Sequence, residues 1–339
     1  MDLTKYTNQE LMAICKEKQI SGYSGKKKNE LINLLSSLDS HEVLAKPVIK
    51  WVGGKSQILN TVLDMFPKEL NHYHEPFLGG GSVLFGLLMK QRTGTIHIRG
   101  TIHASDLNLA LISMYKNIQS NLPELIRELN QLISQYDEAK QGTIVNRNAE
   151  TLKDAFTSAE SYYYYIRKKY NAQESKTTAS ASAMFIFMNK TCFRGVYREG
   201  PNGFNVPFGN YSNPGIVDET HLLFISELIK DVIFSHRTYS ESLSYVEDGD
   251  FIYLDPPYAP ETDTSFVSYN VGGFNLADHE DLFMQIKEKN MKFVLSNSDV
   301  PIVRGSFPDP IYETKVVSCK RSINSKDPSA KTNEVLIRN

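Results

Sequence analysis

Apolar and polar positions along the chain follow two different rhythms, and the change between them falls near residue 46. Upstream, the spacing is helical. Thr7 is placed to cap a first helix, with Glu10 three residues on as in a capping box. Leu11, Ile14 and Cys15 then form its apolar stripe. Gly22 ends that segment, Gly25 opens a turn, and residues 26–38 predict a second helix with Leu31, Leu34, Leu35 and Leu38 inward. A helix pair of about 40 residues is small for an independent core.

Downstream, short apolar stretches run into loops rich in Gly, Pro or Asp: HEPF (74–77), TIHASD (101–106), FIYLDPPY (251–258) and KFVLSNSD (292–299). Helical stretches lie between them. Such alternation predicts an α/β fold with a mostly parallel sheet and ligands at the carboxyl ends of its strands. Residues 113–240 interrupt the pattern with a long helical section, a tyrosine run at 162–165 and the segment KTCFRGVYREGPNGFNVPFGNY (190–211). The Gly, Pro and Asn content of that segment predicts a β-hairpin or an ordered loop. Its interleaved basic and aromatic residues suit nucleic acid better than a core. The expected organisation is a helical module at 1–40, a linker at 41–46, an α/β domain at 47–112 and 241–339, and an inserted domain at 113–240.

Composition narrows the classes. With 339 residues, 41% hydrophobic and 22% charged, the chain can bury one large core and a small one. No apolar run approaches the roughly 18 residues that a spanning helix needs, so no membrane association is expected. The start MDLTKYTNQE is polar and acidic, unlike a secretory signal. Cys15, Cys192 and Cys319 lie far apart, without metal-ligand spacing, which points to a reducing intracellular compartment and no metal. The net charge of −2 gives no global pull toward nucleic acid, so DNA binding has to come from local patches.

HEPFLGGGSV (74–83) sets three glycines where a strand hands over to a helix, so backbone N–H groups can approach a polar ligand closely. A dinucleotide fingerprint would need glycine at position 84, which holds Leu84. Asp106, ending the next predicted strand, can accept both ribose hydroxyls of a nucleoside such as S-adenosyl-L-methionine (AdoMet). GGKS (53–56) looks like the end of a triphosphate loop, but the first glycine of that motif is replaced by Ile49. Lys55 and Trp51 can line the AdoMet pocket instead, and a core role serves Trp51 equally well.

FIYLDPPY is the most specific motif. An apolar strand delivers Asp255, Pro256, Pro257 and Tyr258 at its carboxyl end. Adenine N6 is a poor nucleophile because its lone pair is delocalised into the ring. Asp255 can accept one N–H and the Pro256 carbonyl the other, which frees the lone pair for methyl transfer. Pro257 has no N–H to compete and fixes the loop, and Tyr258 offers a face for an extruded base. A C5-cytosine enzyme needs a nucleophilic cysteine, usually after proline, and none of the three cysteines follows one. Cytosine-N4 enzymes usually carry Ser, and protein-glutamine enzymes Asn, where Asp255 stands.

Taken together, WVGGK (51–55), EPFLGGGSV (75–83), SDLN (105–108), NKTCFRGVYR (189–198), GFNVPFG (203–209), DPPYAP (255–260), SNSD (296–299) and KRSINS (320–325) resemble the Dam-like DNA adenine methyltransferases over 46–339. The resemblance implies a Rossmann-like AdoMet-dependent sheet with a target-recognition domain between the AdoMet half and the DPPY loop. It implies AdoMet contacts from Trp51, Lys55, Phe77, Gly79, Gly81, Asp106 and Asp255, with Asp255 and Tyr258 at the target adenine. The implied partner is double-stranded DNA, met by Lys190, Phe193, Arg194, Arg198, Asn205 and Pro207. Phe193 matches an aromatic that wedges at the flipping site, and Arg198 an arginine that reads guanine. Arg194 departs from the asparagine common in relatives that modify GATC, so GATC is the first expected site and CATG the second. A companion restriction endonuclease is a further expectation.

Residues 1–40 resemble a SAP domain, a small helical DNA-binding module, through Leu3, Leu11, Gly22, Gly25, Lys26, Leu31 and Leu34. Lys26, Lys27 and Lys28 are its candidate phosphate contacts. A helical arm packed on the main domain is the alternative. For the whole chain, the alternatives are a catalytically dead DNA-binding relative and an RNA or protein methyltransferase.

Overall fold

A computed structural model describes residues 3–17, 23, 25–32, 46–260, 273–289, 291–320 and 331–339. The chain forms two compact units, Met1–Ala45 and Lys46–Asn339.

The large unit is built on a sheet of seven strands: β1 (Tyr73–Glu75), β2 (Ile102–Asp106), β3 (Val232–His236), β4 (Phe251–Leu254), β5 (Lys292–Ser298), β6 (Glu313–Lys320) and β7 (Lys331–Arg338). Their order is β6-β7-β5-β4-β1-β2-β3. Pairing is parallel from β3 to β5, and β7 runs antiparallel to both β5 and β6. The chain leaves β1 for β2 and β3 on one side, then returns to β4 on the other. The strand order therefore reverses between β1 and β4, and ligands bind in the crevice beyond such a point. This is the Rossmann-like sheet expected of an AdoMet-dependent methyltransferase.

Every residue of β4 is buried, as expected of a parallel strand covered on both faces. Ile252, Leu254, Leu295, Val335 and Ile337 pack with Leu282, Phe283, Phe293 and Phe307 in one core cluster. Helix α1 (Ser82–Arg92) starts at Gly81, whose φ of 72° lets the strand turn directly into the helix. Asn108 caps α2 (Leu109–Ser120) by accepting from the Leu111 amide at 3.0 Å.

Four longer helices follow between residues 122 and 228. In α3 (Leu122–Ala139) Leu122, Leu125, Leu129, Leu132 and Tyr136 are buried at helical spacing. In α4 (Ala159–Asn171) the tyrosine run divides, with Tyr162 and Tyr163 buried and Tyr164 and Tyr165 half-buried. Helix α5 (Ala179–Thr191) is buried nearly throughout. Tyr136 and Tyr162 meet its Phe187 edge-on at 5.3 and 5.7 Å. The fourth helix covers Glu219–Leu228. The expected hairpin is present as the antiparallel pair Glu199–Gly200 and Gly203–Phe204. The expected limits at 113 and 240 do not coincide with element boundaries. Position 113 falls inside α2, and β3 lies within 113–240 yet pairs with β2 along its whole length.

In the small unit, a helix covers Asn8–Glu17. The capping box is formed: the Thr7 amide donates to Glu10 Oε2 at 2.7 Å, and the Glu10 amide to Thr7 Oγ1 at 3.3 Å. Leu11, Cys15 and Leu31 make a small core with Tyr6, Met12, Ile14, Tyr23 and Ile32. Gly22, Leu34, Leu35, Leu38, the linker at 41–45 and Arg321–Ser325 of the KRSINS block lie outside the described residues.

Candidate active site

The DPPY loop leaves the carboxyl end of β4 at the switch point. Asp255 Oδ2 accepts a hydrogen bond from Lys55 Nζ at 2.6 Å, with the two side chains 18% and 4% exposed. Lys55 Nζ also donates to the Gly53 carbonyl at 2.6 Å and lies 5.0 Å from the centre of the Tyr258 ring. Burial pushes the Asp255 carboxyl up to about 6, against the opposing pull of Lys55. The loop is held from behind. Tyr258 donates to Glu334 of β7 at 2.8 Å. The Ala259 amide donates to Asn297 Oδ1 at 2.9 Å, and Ser298 Oγ donates to the Ala259 carbonyl at 2.5 Å. The SNSD block thus serves as the clamp of the DPPY loop.

The glycine loop follows β1, next to β4 in the sheet. Gly79 (φ 50°) donates its amide to Asp106 Oδ2 at 3.0 Å, and the Asn108 amide donates to Oδ1 at 2.9 Å. Burial raises the Asp106 pKa, and those amides oppose it. Each carboxylate oxygen keeps a lone pair for a further donor, so the vicinal hydroxyls of a ribose fit this group. A Cβ on Gly79 would stand 2.9 Å from Trp51 Cδ1, so the loop closes on the indole only as glycine. Trp51 stacks on Tyr197 at 5.5 Å. Phe77 stacks on Tyr239 at 5.8 Å and meets Phe274 edge-on at 6.0 Å. The Lys55 amide donates to Ser82 Oγ at 3.1 Å, which ties the WVGGK segment to the start of α1. Trp51, Lys55, Gly79, Asp106 and Asp255 are thereby joined through side chains and amides from four separate stretches of chain.

Glu75, ending β1, escaped sequence reasoning as a site residue. It is buried, accepts a hydrogen bond from Tyr73 at 2.7 Å, and is pushed up to about 8 by burial first. Asp255 and Asp106 push in the same direction and Lys55 against it. An acid immediately before the proline of the glycine loop is the signal that could have marked it.

The hairpin segment adjoins this group at Trp51 through Tyr197. Phe193, 48% exposed, carries the Arg194 guanidinium over its ring at 5.2 Å. Arg194 sits at φ 60° and donates its amide to Tyr211 Oη at 2.8 Å. Arg198 is exposed, and its Nε donates to Asn205 Oδ1 at 2.6 Å. Asn205 and Pro207 are exposed, and Lys190 is half-buried. Burial, followed by Lys50, lowers the Lys190 pKa. Helix α4 anchors the returning strand. Tyr163 and Arg167 donate to the Val206 carbonyl at 2.7 and 3.1 Å, and Asn171 brackets both the amide and the carbonyl of Phe204 at 2.9 Å. In the small unit, Lys27 and Lys28 are exposed; Lys28 Nζ donates to the Thr4 carbonyl at 3.0 Å. Lys26 is half-buried.

Among the described residues no group of three or more His, Cys, Asp or Glu could hold a metal, and no helix is long and apolar enough to cross a membrane. Residues 51–323 match the profile of the D12 class N6 adenine-specific DNA methyltransferases. Residues 2–37 match the N-terminal domain of Rho termination factor, which resembles the expected SAP-like module only weakly. Type II methyltransferase M.MjaIII of Methanocaldococcus jannaschii is 36% identical over 313 residues, 87% of this chain and 99% of the relative. Type II methyltransferase M1.LlaDCHI of Lactococcus lactis subsp. cremoris is 29% identical, over 90% of this chain and 99% of its own. The DNA adenine methylase of Escherichia coli K12 is 26% identical, over 85% and 93%. The chain therefore belongs to the D12 class of N6 adenine-specific DNA methyltransferases, enzymes that use AdoMet as their cofactor.

Proposed function

We propose that the enzyme methylates adenine N6 within a short duplex site, GATC in the first place and CATG in the second, after flipping the target base. The observation that carries this reading is the Lys55–Asp255 contact of 2.6 Å at the head of the DPPY loop. Lys55 occupies Asp255 Oδ2 and leaves Oδ1 to accept one N–H of the adenine amino group. The Pro256 carbonyl accepts the other, and the two acceptors draw N6 toward tetrahedral geometry. When bound, AdoMet supplies the methyl group from its sulfonium. Asp106 takes the ribose hydroxyls, and Trp51, Phe77, Gly79 and Gly81 shape the pocket around the cofactor. Tyr258 gives the extruded base a stacking surface. The transferred proton can leave to water, so Asp255 need not keep it. Most of the rate then comes from positioning and electrostatics.

Phe193 fills the gap that flipping leaves, and Arg198 reads a guanine through O6 and N7. Lys190, Arg194, Asn205 and Pro207 complete this face. The small N-terminal unit holds DNA through Lys26, Lys27 and Lys28, inside the cell. Two relatives carry type II names, which supports a companion endonuclease for this enzyme too. The test is incubation of mixed-sequence DNA with AdoMet, followed by mapping of N6-methyladenine. Methylation confined to one short motif supports the reading, and modification at cytosine or at unrelated adenines overturns it.

A further inference from the structure

The proposed DNA face and the proposed cofactor pocket meet at one buried amide. Asn189 lies near the end of α5, is 3% exposed, and directly follows the apolar run AMFIFM (183–188). Its Oδ1 accepts from the Lys50 amide at 2.9 Å. Its Nδ2 donates to the Lys50 carbonyl at 2.8 Å and to the Gly195 carbonyl at 3.0 Å. One side chain therefore fixes both backbone groups of the residue before Trp51 and the centre of the 193–198 segment.

Two further contacts join the same two stretches. Trp51 stacks on Tyr197 at 5.5 Å. A Cβ on Gly195 would stand 2.6 Å from Lys50 Cδ and 2.9 Å from Lys50 Cβ, so the Lys50 side chain packs against this segment in the space that glycine leaves. Trp51 in turn closes on Gly79, and Lys55, four residues on, holds Asp255. A shift of the 193–198 segment cannot leave Lys50 in place unless the Asn189 bonds break. In a buried site each broken bond leaves an unsatisfied group, which is disfavoured.

We infer that Asn189 is a positioning residue that couples engagement of the recognition segment by DNA to the cofactor pocket. This rests on the reading that 193–198 meets DNA and that Trp51 and Lys55 face AdoMet. Coupling of this kind is reciprocal: DNA tightens the cofactor by the same factor as the cofactor tightens DNA, and factors of about 5–150 are typical.

The experiment measures the affinity of S-adenosyl-L-homocysteine, which cannot transfer a methyl group, for the full-length protein. It is done alone, with a duplex carrying the mapped methylation site, and with a duplex in which that site is scrambled. The wild type is expected to bind at least about fivefold more tightly with the cognate duplex. Asn189→Asp keeps the acceptor and loses both donors, and its ratio should fall toward one while binding without DNA stays measurable. Asn189→Ala provides a second variant, and thermal melting of each shows that it is folded. A merely structural role would weaken binding equally with and without DNA. Retention of the ratio in Asn189→Asp, or a wild-type ratio of one, overturns the inference. Both results leave the proposed function standing, because that depends on where N6-methyladenine appears.

Discussion

Lys55 Nζ lies 2.6 Å from Asp255 Oδ2, across 200 residues of sequence, and the contact joins the WVGGK segment to the DPPY loop. The pair is nearly dry. The ammonium favours the ionised carboxylate that burial opposes.

Asp255→Ala should abolish N6 methylation with AdoMet binding retained. Loss of a preorganised hydrogen-bonding group at the reacting centre lowers rates by about 10²–10³-fold. The substitution also leaves Lys55 with the Gly53 carbonyl but no counter-charge, so stability should fall, by up to about 3 kcal/mol for a buried pair. Asp255→Asn keeps the volume and restores neither charge nor rate. Single-turnover methylation beside AdoMet titration checks this, and near-normal turnover in either variant removes Asp255 from the chemistry.

The pH profile follows from the same pair. The Asp255 carboxyl, raised from 3.8 to about 6, is protonated below that pH, and Oδ1 then competes poorly as an acceptor. The single-turnover rate should rise with pH through about 6 and level off above. Lys55 pulls the value down, so Lys55→Met should move the midpoint upward at saturating AdoMet. A midpoint near 4 in the wild type, or one unmoved in Lys55→Met, contradicts the assignment.

Much of this was legible in the sequence, because local patterns wrote it. The buried run FIYL before DPPY, the glycines of HEPFLGGGSV and the acid of TIHASD each ends a strand at the reactive edge of the sheet. The hairpin was legible through its turn residues. What escaped depends on contacts between distant stretches. VIFSH (232–236) reads as one more short apolar segment, and only pairing with β2 makes it a strand of the sheet. Antiparallel β6 and β7 needed each other to be recognised, and Glu334 of β7 became a partner of Tyr258 through that pairing. Asn189 hides in an apolar helix because its three bonds reach residues 50 and 195.

Glu75 offers a stability test. Its carboxyl stands at about 8 in the folded chain against an ordinary 4.5, so folding takes up a proton between those values. The contribution is fully present below about 4.5, declines as pH rises, and is lost above about 8. Glu75→Gln mimics the neutral acid and keeps an acceptor for Tyr73. It should fold at pH 7, and its melting temperature should fall less steeply than that of the wild type between about pH 5 and 8. Parallel melting curves for the two proteins would place an ionised carboxylate at Glu75.

Arg198 and Asn205 should act as a pair. Asn205 Oδ1 holds Arg198 Nε at 2.6 Å and so orients the fork of the guanidinium. A bidentate contact with guanine discriminates by about 1–3 kcal/mol. Arg198→Ala should therefore relax specificity at one base pair, and Asn205→Ala should relax it at the same base pair to a smaller extent. The readout is the ratio of methylation on the cognate site to that on singly substituted sites. If both variants lose activity equally on every site, Arg198 contacts phosphate only.

The N-terminal unit, Met1–Ala45, carries no catalytic motif and is compact in itself. Its own core is small, resting on Leu11, Cys15 and Leu31. Lys27 and Lys28 are exposed at the turn into its second helix, where they can meet phosphates. Exposed lysines on a helix are commonly just solvated, so the prediction has to separate the two cases. Each phosphate neutralised releases counterion and adds about 0.9 to the slope of log affinity against log salt. Deleting residues 1–45 should lower DNA affinity and flatten that slope by roughly one to three units. The methylated sequence should stay the same, because Arg198, proposed to read guanine, lies in the other unit. Turnover at saturating DNA should change little, because Asp255 and Lys55 are there too. The full-length and truncated proteins would be compared by equilibrium binding at several salt concentrations and by site mapping. An unchanged slope means that the lysines face solvent, and a changed methylation site means that the unit takes part in reading sequence.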